Sequence, residues 1–186
     1  MEAFKKNIHT YKEYLLINDG NRYEIIDGNL FLLASPSEIH QRVLGNLYLI
    51  LGNYFKYKTC SVYFAPFDVL LGDENIDEVK NVVQPDIFIV CDKSKLSSGK
   101  YLKGAPDFVC EILSPSTSTV DFVYKKYLYE KYGVKEYWIV SPEEKKITIF
   151  KNTNGKFDQG IVYDDNGLSK PVLLNLLQID INEVFR

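Results

Sequence analysis

Val82-Val83-Gln84-Pro85-Asp86-Ile87-Phe88-Ile89-Val90-Cys91 and Phe108-Val109-Cys110-Glu111-Ile112-Leu113 are the two stretches whose reading decides the fold. Both are nearly continuous in apolar, β-prone residues, the pattern of central strands covered on both faces. Each nevertheless carries a carboxylate. Asp86 follows Gln84-Pro85 at the opening of one strand, and Glu111 lies inside the other. A buried carboxylate needs a cation or hydrogen-bond donors, and two that converge from adjacent strands repel unless a positive charge intervenes. Mg²⁺ suits such a pair, since it takes oxygen ligands, needs few protein carboxylates and keeps several waters. For one strand carboxylate alone, pairing with a nearby lysine is the commoner arrangement; for the pair, a metal is the better expectation.

Outward from these strands the elements follow in order. Arg22 to Ala34 holds two β-prone runs around Asp27-Gly28, a two-residue hairpin signal. Ser35-Pro36-Ser37-Glu38 reads as a helix start, and Ile39, Val43, Leu47, Ile50, Leu51, Tyr54 and Phe55 recur at helical spacing after it. Ser61 to Leu71 is a strand-like run, set off from Val82 by the turn Gly72-Asp73-Glu74-Asn75. A second helix is predicted over Thr119 to Tyr132, stopping at Gly133. Its apolar stripe is Val120, Val123, Tyr124, Tyr127 and Leu128, with Asp121 and Lys125 together on the flank and Lys126 toward solvent. Lys125 is thus placed to reach the sheet, or simply to pair with Asp121 at i,i+4. Glu136 to Val140 and Lys146 to Lys151 form a hairpin around Ser141-Pro142-Glu143-Glu144. The order predicts an α/β fold: a hairpin, an α-β-β-β-α-β core with a central mixed sheet flanked by helices, and a C-terminal β extension. One domain over residues 1–186 is expected, with its core at about 20–150 and the extension at 151–186.

Bulk properties narrow the function classes. The 186 residues are 46% hydrophobic and 25% charged, ordinary for a globular chain, and no run approaches the ~20 apolar residues of a membrane span. The first residues lack the apolar centre of a secretory signal, so a cytoplasmic location is expected. Cys60, Cys91 and Cys110 lack zinc-site spacing and read as buried thiols in a reducing compartment. The net charge of −3 argues against a broadly basic nucleic-acid surface, though an acidic metal site contributes to it. Lys93, Lys95, Lys100 and Lys103 form a basic loop that either borders the cleft and contacts phosphates or is simply solvated. The 14 tyrosines sit mostly at core spacing, which favours packing over base stacking.

A longer pattern runs through the chain: Tyr23-Glu24-Ile25-Ile26-Asp27-Gly28, His40, Gln84-Pro85-Asp86 and Ala105-Pro106-Asp107. It continues through Glu111-Ile112-Leu113-Ser114-Pro115-Ser116-Thr117, Asp121, Lys125, Tyr129, Gly133-Val134 and Glu136-Tyr137-Trp138. In this order and spacing, from about residue 20 to 150, the chain resembles the bacterial putative restriction endonuclease family, abundant in cyanobacteria, of the PD-(D/E)XK nuclease superfamily. Residues beyond about 155 carry little of the likeness. The resemblance implies a restriction-endonuclease-like core, Asp86 and Glu111 as metal ligands with the backbone carbonyl of Ile112, and Lys125 as the catalytic lysine. That lysine stands on the second helix because Leu113 occupies the usual Glu-x-Lys position.

Glu24 and His40 are secondary candidates. Glu24 lies near the metal or is an exposed strand residue; His40 binds phosphate or shuttles a proton, or else packs or caps its helix. Asp121 is a third, able to orient Lys125. Asp107 competes with Asp86 as first ligand but reads better as a strand-opening residue, and the Ser114–Ser118 hydroxyls bind phosphate or cap the second helix. The expected activity is a Mg²⁺-dependent DNA endonuclease, with Mn²⁺ a possible substitute and a homodimer plausible for cutting two strands. A nuclease-fold binding or regulatory module and a hydrolase of another phosphoester are the alternatives.

Overall fold

A computed structural model describes residues 9–72, 75–114, 120–165 and 172–186. After a short α1 (Tyr11–Tyr14), β1 (Tyr23–Ile26) and β2 (Asn29–Leu32) form the expected hairpin. Asp27 and Gly28 both have positive φ, +48° and +76°, as a two-residue turn matched to strand twist requires. Helix α2 (Glu38–Phe55) starts two residues later than Ser35 suggested. Its N-cap is Ser37, whose hydroxyl accepts the His40 N–H.

The two long strand-like runs are each divided between two sheets. Ser61 to Leu71 becomes β3 (Ser61–Phe64) and β4 (Val69–Leu70), and Val82 to Cys91 becomes β5 (Val82–Val83) and β6 (Ile87–Val90). The divisions fall at Pro66 and Pro85, which have no N–H to continue a ladder. β3 still pairs antiparallel with β6 and β4 with β5, so the predicted hairpin survives as two halves. Its turn at 72–75 lies partly outside the described residues. β7 (Leu102–Lys103) joins β4 in parallel, giving a five-stranded sheet in the order β2-β1-β5-β4-β7.

The larger sheet takes β8 (Phe108–Ile112) beside β6. A π-helical turn, Val120–Lys125, then runs into α3 (Lys126–Lys131), and Gly133 at φ +82° ends it. β9 (Glu136–Ser141) lies parallel to β8, and β10 (Lys146–Thr153) pairs antiparallel with β9. β11 (Lys156–Phe157) and β12 (Ile161–Tyr163) add to β10, and the order is β11-β10-β9-β8-β6-β3 with β12 also on β10. The α-β-β-β-α-β core is therefore present. The tail forms β13 (Val172–Leu173), β14 (Leu177–Gln178) and α4 (Ile181–Val184).

Each face of the larger sheet has its own core. On one, Val43, Leu47, Leu51 and Phe55 of α2 pack on Ile87, Ile89, Cys110, Ile112, Trp138 and Val140, joined by Leu173, Ile179, Ile181 and Val184 of the tail. On the other, Phe88, Val90, Val109, Tyr137 and Ile139 meet Leu128, Tyr129 and Val134 together with Val69, Leu71 and Val83 of the smaller sheet. β6 and β8 are thus covered on both sides, as their unbroken apolar character requires.

Two expectations need correction. Cys60 and Cys91 form a disulfide, leaving only Cys110 as a buried free thiol among the described residues. The register pairing Ser61 with Val90 sets Cys60 opposite Cys91, 3.9 Å apart at Cα, a proximity that separate apolar runs did not reveal. The reducing-compartment argument loses its basis. The second helix, moreover, exposes Val123, Tyr124 and Tyr127 and buries Asp121, Lys125, Leu128 and Tyr129. No helix among the described residues is long and apolar enough to cross a membrane.

Leu47 is 1% exposed and Leu49, two residues on, 58% exposed. Leu47→Ala should lower the unfolding free energy by about 2–5 kcal/mol and Leu49→Ala by about 0.5 kcal/mol or less. Urea titrations of the two variants make the comparison.

Candidate active site

The carboxylate pair is set by strand register. β6 and β8 run antiparallel with Ile87 opposite Cys110 and Phe88 opposite Val109, so one step beyond β6 Asp86 comes opposite Glu111. Pro85 releases the chain from the ladder at that point, and the Asp86 N–H lies 3.5 Å from Glu111 Oε2. Asp86 Oδ2 accepts the Ile112 N–H at 2.8 Å and meets His40 Nε2 at 3.1 Å. His40 is 7% exposed, and its Nδ1 has no hydrogen-bond partner among the described residues.

Glu111 points to the Val109 side of its strand, toward the π turn. Its Oε1 accepts from Lys125 Nζ at 3.1 Å and from Tyr129 Oη at 2.7 Å. Lys125 Nζ also lies 2.9 Å from Glu24 Oε2 and 3.5 Å from Asp121 Oδ1. Glu24 is held from its other oxygen by the Gln84 N–H, at 2.7 Å. Asp121, Lys125 and Tyr129 follow one another at steps of four residues, which turns all three inward. The main-chain carbonyl of Asp121 accepts Tyr137 Oη at 3.1 Å and so is satisfied.

The electrostatics of this cluster are lopsided. Burial pushes the Glu111 carboxyl well above the usual carboxylate range; Lys125 opposes that shift, while Asp121, Asp86 and Glu24 reinforce it. Burial alone would weaken the Lys125 ammonium, but Glu111, Glu24 and Asp121 outweigh it and hold its pKa well above that of a free lysine. Tyr129 is pushed up as well, by burial and by Glu111. Four carboxylates therefore face one certain cation. Such a surplus is relieved by a proton or by a further cation.

Arg22, Pro36, His40, Phe64, Gln84, Asp86, Glu111, Ile112, Ser114, Asp121 and Lys125 all border one cleft of about 200 Å³. Every primary and secondary sequence candidate but Glu24 is on its wall, and Glu24 lies directly behind through Lys125. Neither of the blander readings of Glu24 and His40 holds by itself. Glu24 is buried, and the His40 side chain reaches the Asp86 carboxylate in addition to its place in the first helical turn.

The basic loop is elsewhere. β6 leaves the site at Asp86 and ends at Val90, so Lys93 and Lys95 follow its far end, Lys100 leads into β7 of the smaller sheet and Lys103 lies in it, and none of the four borders the cleft. Lys93 bonds Ser61 Oγ and Lys95 the Ala105 carbonyl. Asp107 sits at that end too, paired with Lys135 at 2.6 Å and accepting the Cys91 N–H, and does not compete with Asp86. Of the Ser114–Ser118 hydroxyls, only Ser114 lies within the described residues. Tyr129 and Gln84 had no role assigned from sequence, although both stand in the quoted pattern; the four-residue step from Lys125 was the available sign for Tyr129.

The family model described as "Putative restriction endonuclease" matches residues 8–182. The chain belongs to that family. The match carries the family likeness well past residue 155, through the tail that completes the core under α2. The crystal structure of a putative nuclease belonging to DUF820, from Anabaena variabilis, has the same fold: TM-score 0.76 over 95% of this chain and 97% of that one, at 19% identity. No curated protein matches the chain.

Two outcomes follow for the family member described here. Lys125→Met leaves three buried carboxylates without their shared cation and should cost about 3–5 kcal/mol in cation-free buffer, read by urea unfolding. Burial depresses the His40 imidazole, but the hydrogen bond and charge of Asp86 outweigh this and raise its pKa. A raised folded-state pKa gives stability present below the ordinary imidazole range and lost as pH rises through the folded value. Melting temperature should thus fall with pH across that window, and His40→Gln should flatten this part of the profile.

Proposed function

We propose that this protein is a Mg²⁺-dependent DNA endonuclease. The observation that carries the reading is the convergence of Asp86, Glu111 and Lys125 on one cleft at the ends of two adjacent strands. The donor set fits a hard divalent cation. Two carboxylates with a surplus of negative charge around them, and the main-chain carbonyl of Ile112, supply oxygen ligands in the small number Mg²⁺ takes from proteins. Among the described residues no group of three or more His, Cys, Asp or Glu side chains forms a metal cage, so water would have to complete the coordination of an ion held here. When bound, the ion would lower the pKa of a water and stabilise charge on the phosphate, and Mn²⁺ can stand in for it.

The chain's own groups have separable tasks in this reading. Asp86 is fixed by His40 and by the Ile112 N–H on one oxygen, leaving its other oxygen to face the cleft. Tyr129 and Lys125 hold Glu111 in one orientation, and Lys125 opposes the burial that raises its pKa. Lys125, on the wall of the same cleft, supplies the positive charge that stabilises what develops on the phosphate in the transition state. Glu24 and Asp121 retain the ammonium in place. Cutting both strands requires two such sites, for which a homodimer is the proposed assembly, and the proposed location is the cytoplasm.

The test is nicking of supercoiled plasmid. Wild type should cut with Mg²⁺ or Mn²⁺ and not with EDTA. Asp86→Asn, Glu111→Gln and Lys125→Ala should each lose at least about 100-fold in rate. Cutting that persists in Asp86→Asn and Glu111→Gln would remove the proposal, and binding of DNA without any cutting would favour a regulatory module.

A further inference from the structure

Lys125 has three N–H donors and three carboxylate partners, so its charge is already committed within the cluster. A phosphate entering the cleft needs a different cation. Arg22 lines that cleft, is exposed to solvent, and makes no ion pair with any described residue. Its Nε and Nη2 both donate to Gln84 Oε1, at 3.2 and 2.7 Å. That contact uses the side edge of the guanidinium and leaves the Nη1/Nη2 edge without an acceptor among the described residues, a fork that matches two oxygens of a phosphodiester.

The acceptor that aims Arg22 is itself firmly held. Gln84 Nε2 donates to Asp68 Oδ1 at 2.9 Å and to Tyr14 Oη at 3.0 Å, which fixes which way the amide faces and presents Oε1 to the arginine. The Gln84 main-chain N–H meanwhile bonds Glu24, and Asp86 lies two residues further along. One residue therefore sets the guanidinium on one side and the acidic cluster on the other. Burial raises the Asp68 carboxyl's pKa even though its hydrogen bonds to Gln84 and Tyr14 oppose that. The Arg22 charge opposes that rise as well, although the two groups make no ion pair and meet only through Gln84.

We infer that Arg22 is the residue that grips a DNA backbone phosphate at the cleft, with Gln84 as its positioning residue. This rests on the nuclease reading above and names the group within it that binds the substrate's charge. The experiment is anisotropy of a fluorescent duplex with Ca²⁺ in place of Mg²⁺, over a range of NaCl concentrations, together with the KM and kcat of plasmid nicking. Arg22→Ala should weaken binding about 10-fold and make the salt slope shallower by about one, because one phosphate contact is lost. KM should rise while kcat changes little. Arg22→Lys should restore the slope and only part of the affinity, since a point charge cannot fork. Lys135→Ala, paired with Asp107 at the far end of β6, should match wild type. A wild type that cuts while Arg22→Ala keeps its affinity and slope overturns this assignment alone. A wild type that neither binds nor cuts DNA overturns the nuclease reading with it. Arg22 is exposed, so the substitution should leave the fold intact, which a thermal melt confirms.

Discussion

A lysine ammonium enclosed by three carboxylates is the constraint around which this molecule is arranged. Lys125 is 5% exposed, Glu24 1%, Glu111 3% and Asp121 2%, and the four come from three elements, with Lys125 and Asp121 sharing the π turn. Leaving any of these charges buried and alone costs several kcal/mol, so the hairpin strand β1, the central strand β8 and the π turn are tied to one another at that point. The geometry of the whole upper cleft follows. β1 cannot drift from β5 without uncovering Glu24, and the π turn cannot rotate to bury its aromatic residues without pulling Lys125 away from Glu111.

That constraint explains an inversion in the second helix. Periodicity alone assigns its apolar stripe to the core, because burying Val123, Tyr124 and Tyr127 removes apolar area from water. The molecule instead buries Asp121, Lys125 and Tyr129, since β1 and β8 each present a carboxylate there, Glu24 and Glu111, that requires a donor. Local hydrophobic patterning loses to a non-local electrostatic demand, and the side chains left outside, Phe122 among them, are the consequence. The same logic sets the acidic pair at the strand ends. Prolines at 66 and 85 free the backbone from pairing there, where the chain must turn from one sheet into the other.

Much of this was legible in the residues. The hairpin at Asp27-Gly28, the first helix and its buried stripe, and the α-β-β-β-α-β order all follow from short-range patterns. So do the two covered strands and the placement of Asp86 and Glu111 on them. What escaped was non-local. The division of two runs between two sheets depended on where paired prolines fell. The Cys60–Cys91 disulfide depended on a register that no single segment carries. The basic loop was close to the strands in sequence but none of its lysines reaches the cleft, whereas Arg22, next to a motif that was read for its glutamate, lies on its wall. The tail's contribution to the core under α2 was illegible for the same reason, its short apolar pieces having no period of their own.

We propose that the negative surplus around Lys125 is matched by a divalent cation on Asp86 and Glu111. Calorimetric titration of the full chain with Mn²⁺, with and without duplex DNA, tests it most directly. One ion per site should bind to the wild type, and Glu111→Gln and Asp86→Asn should each abolish or severely weaken that binding. A wild type that takes up no ion even with DNA present, or variants that bind as tightly as it does, would contradict the claim.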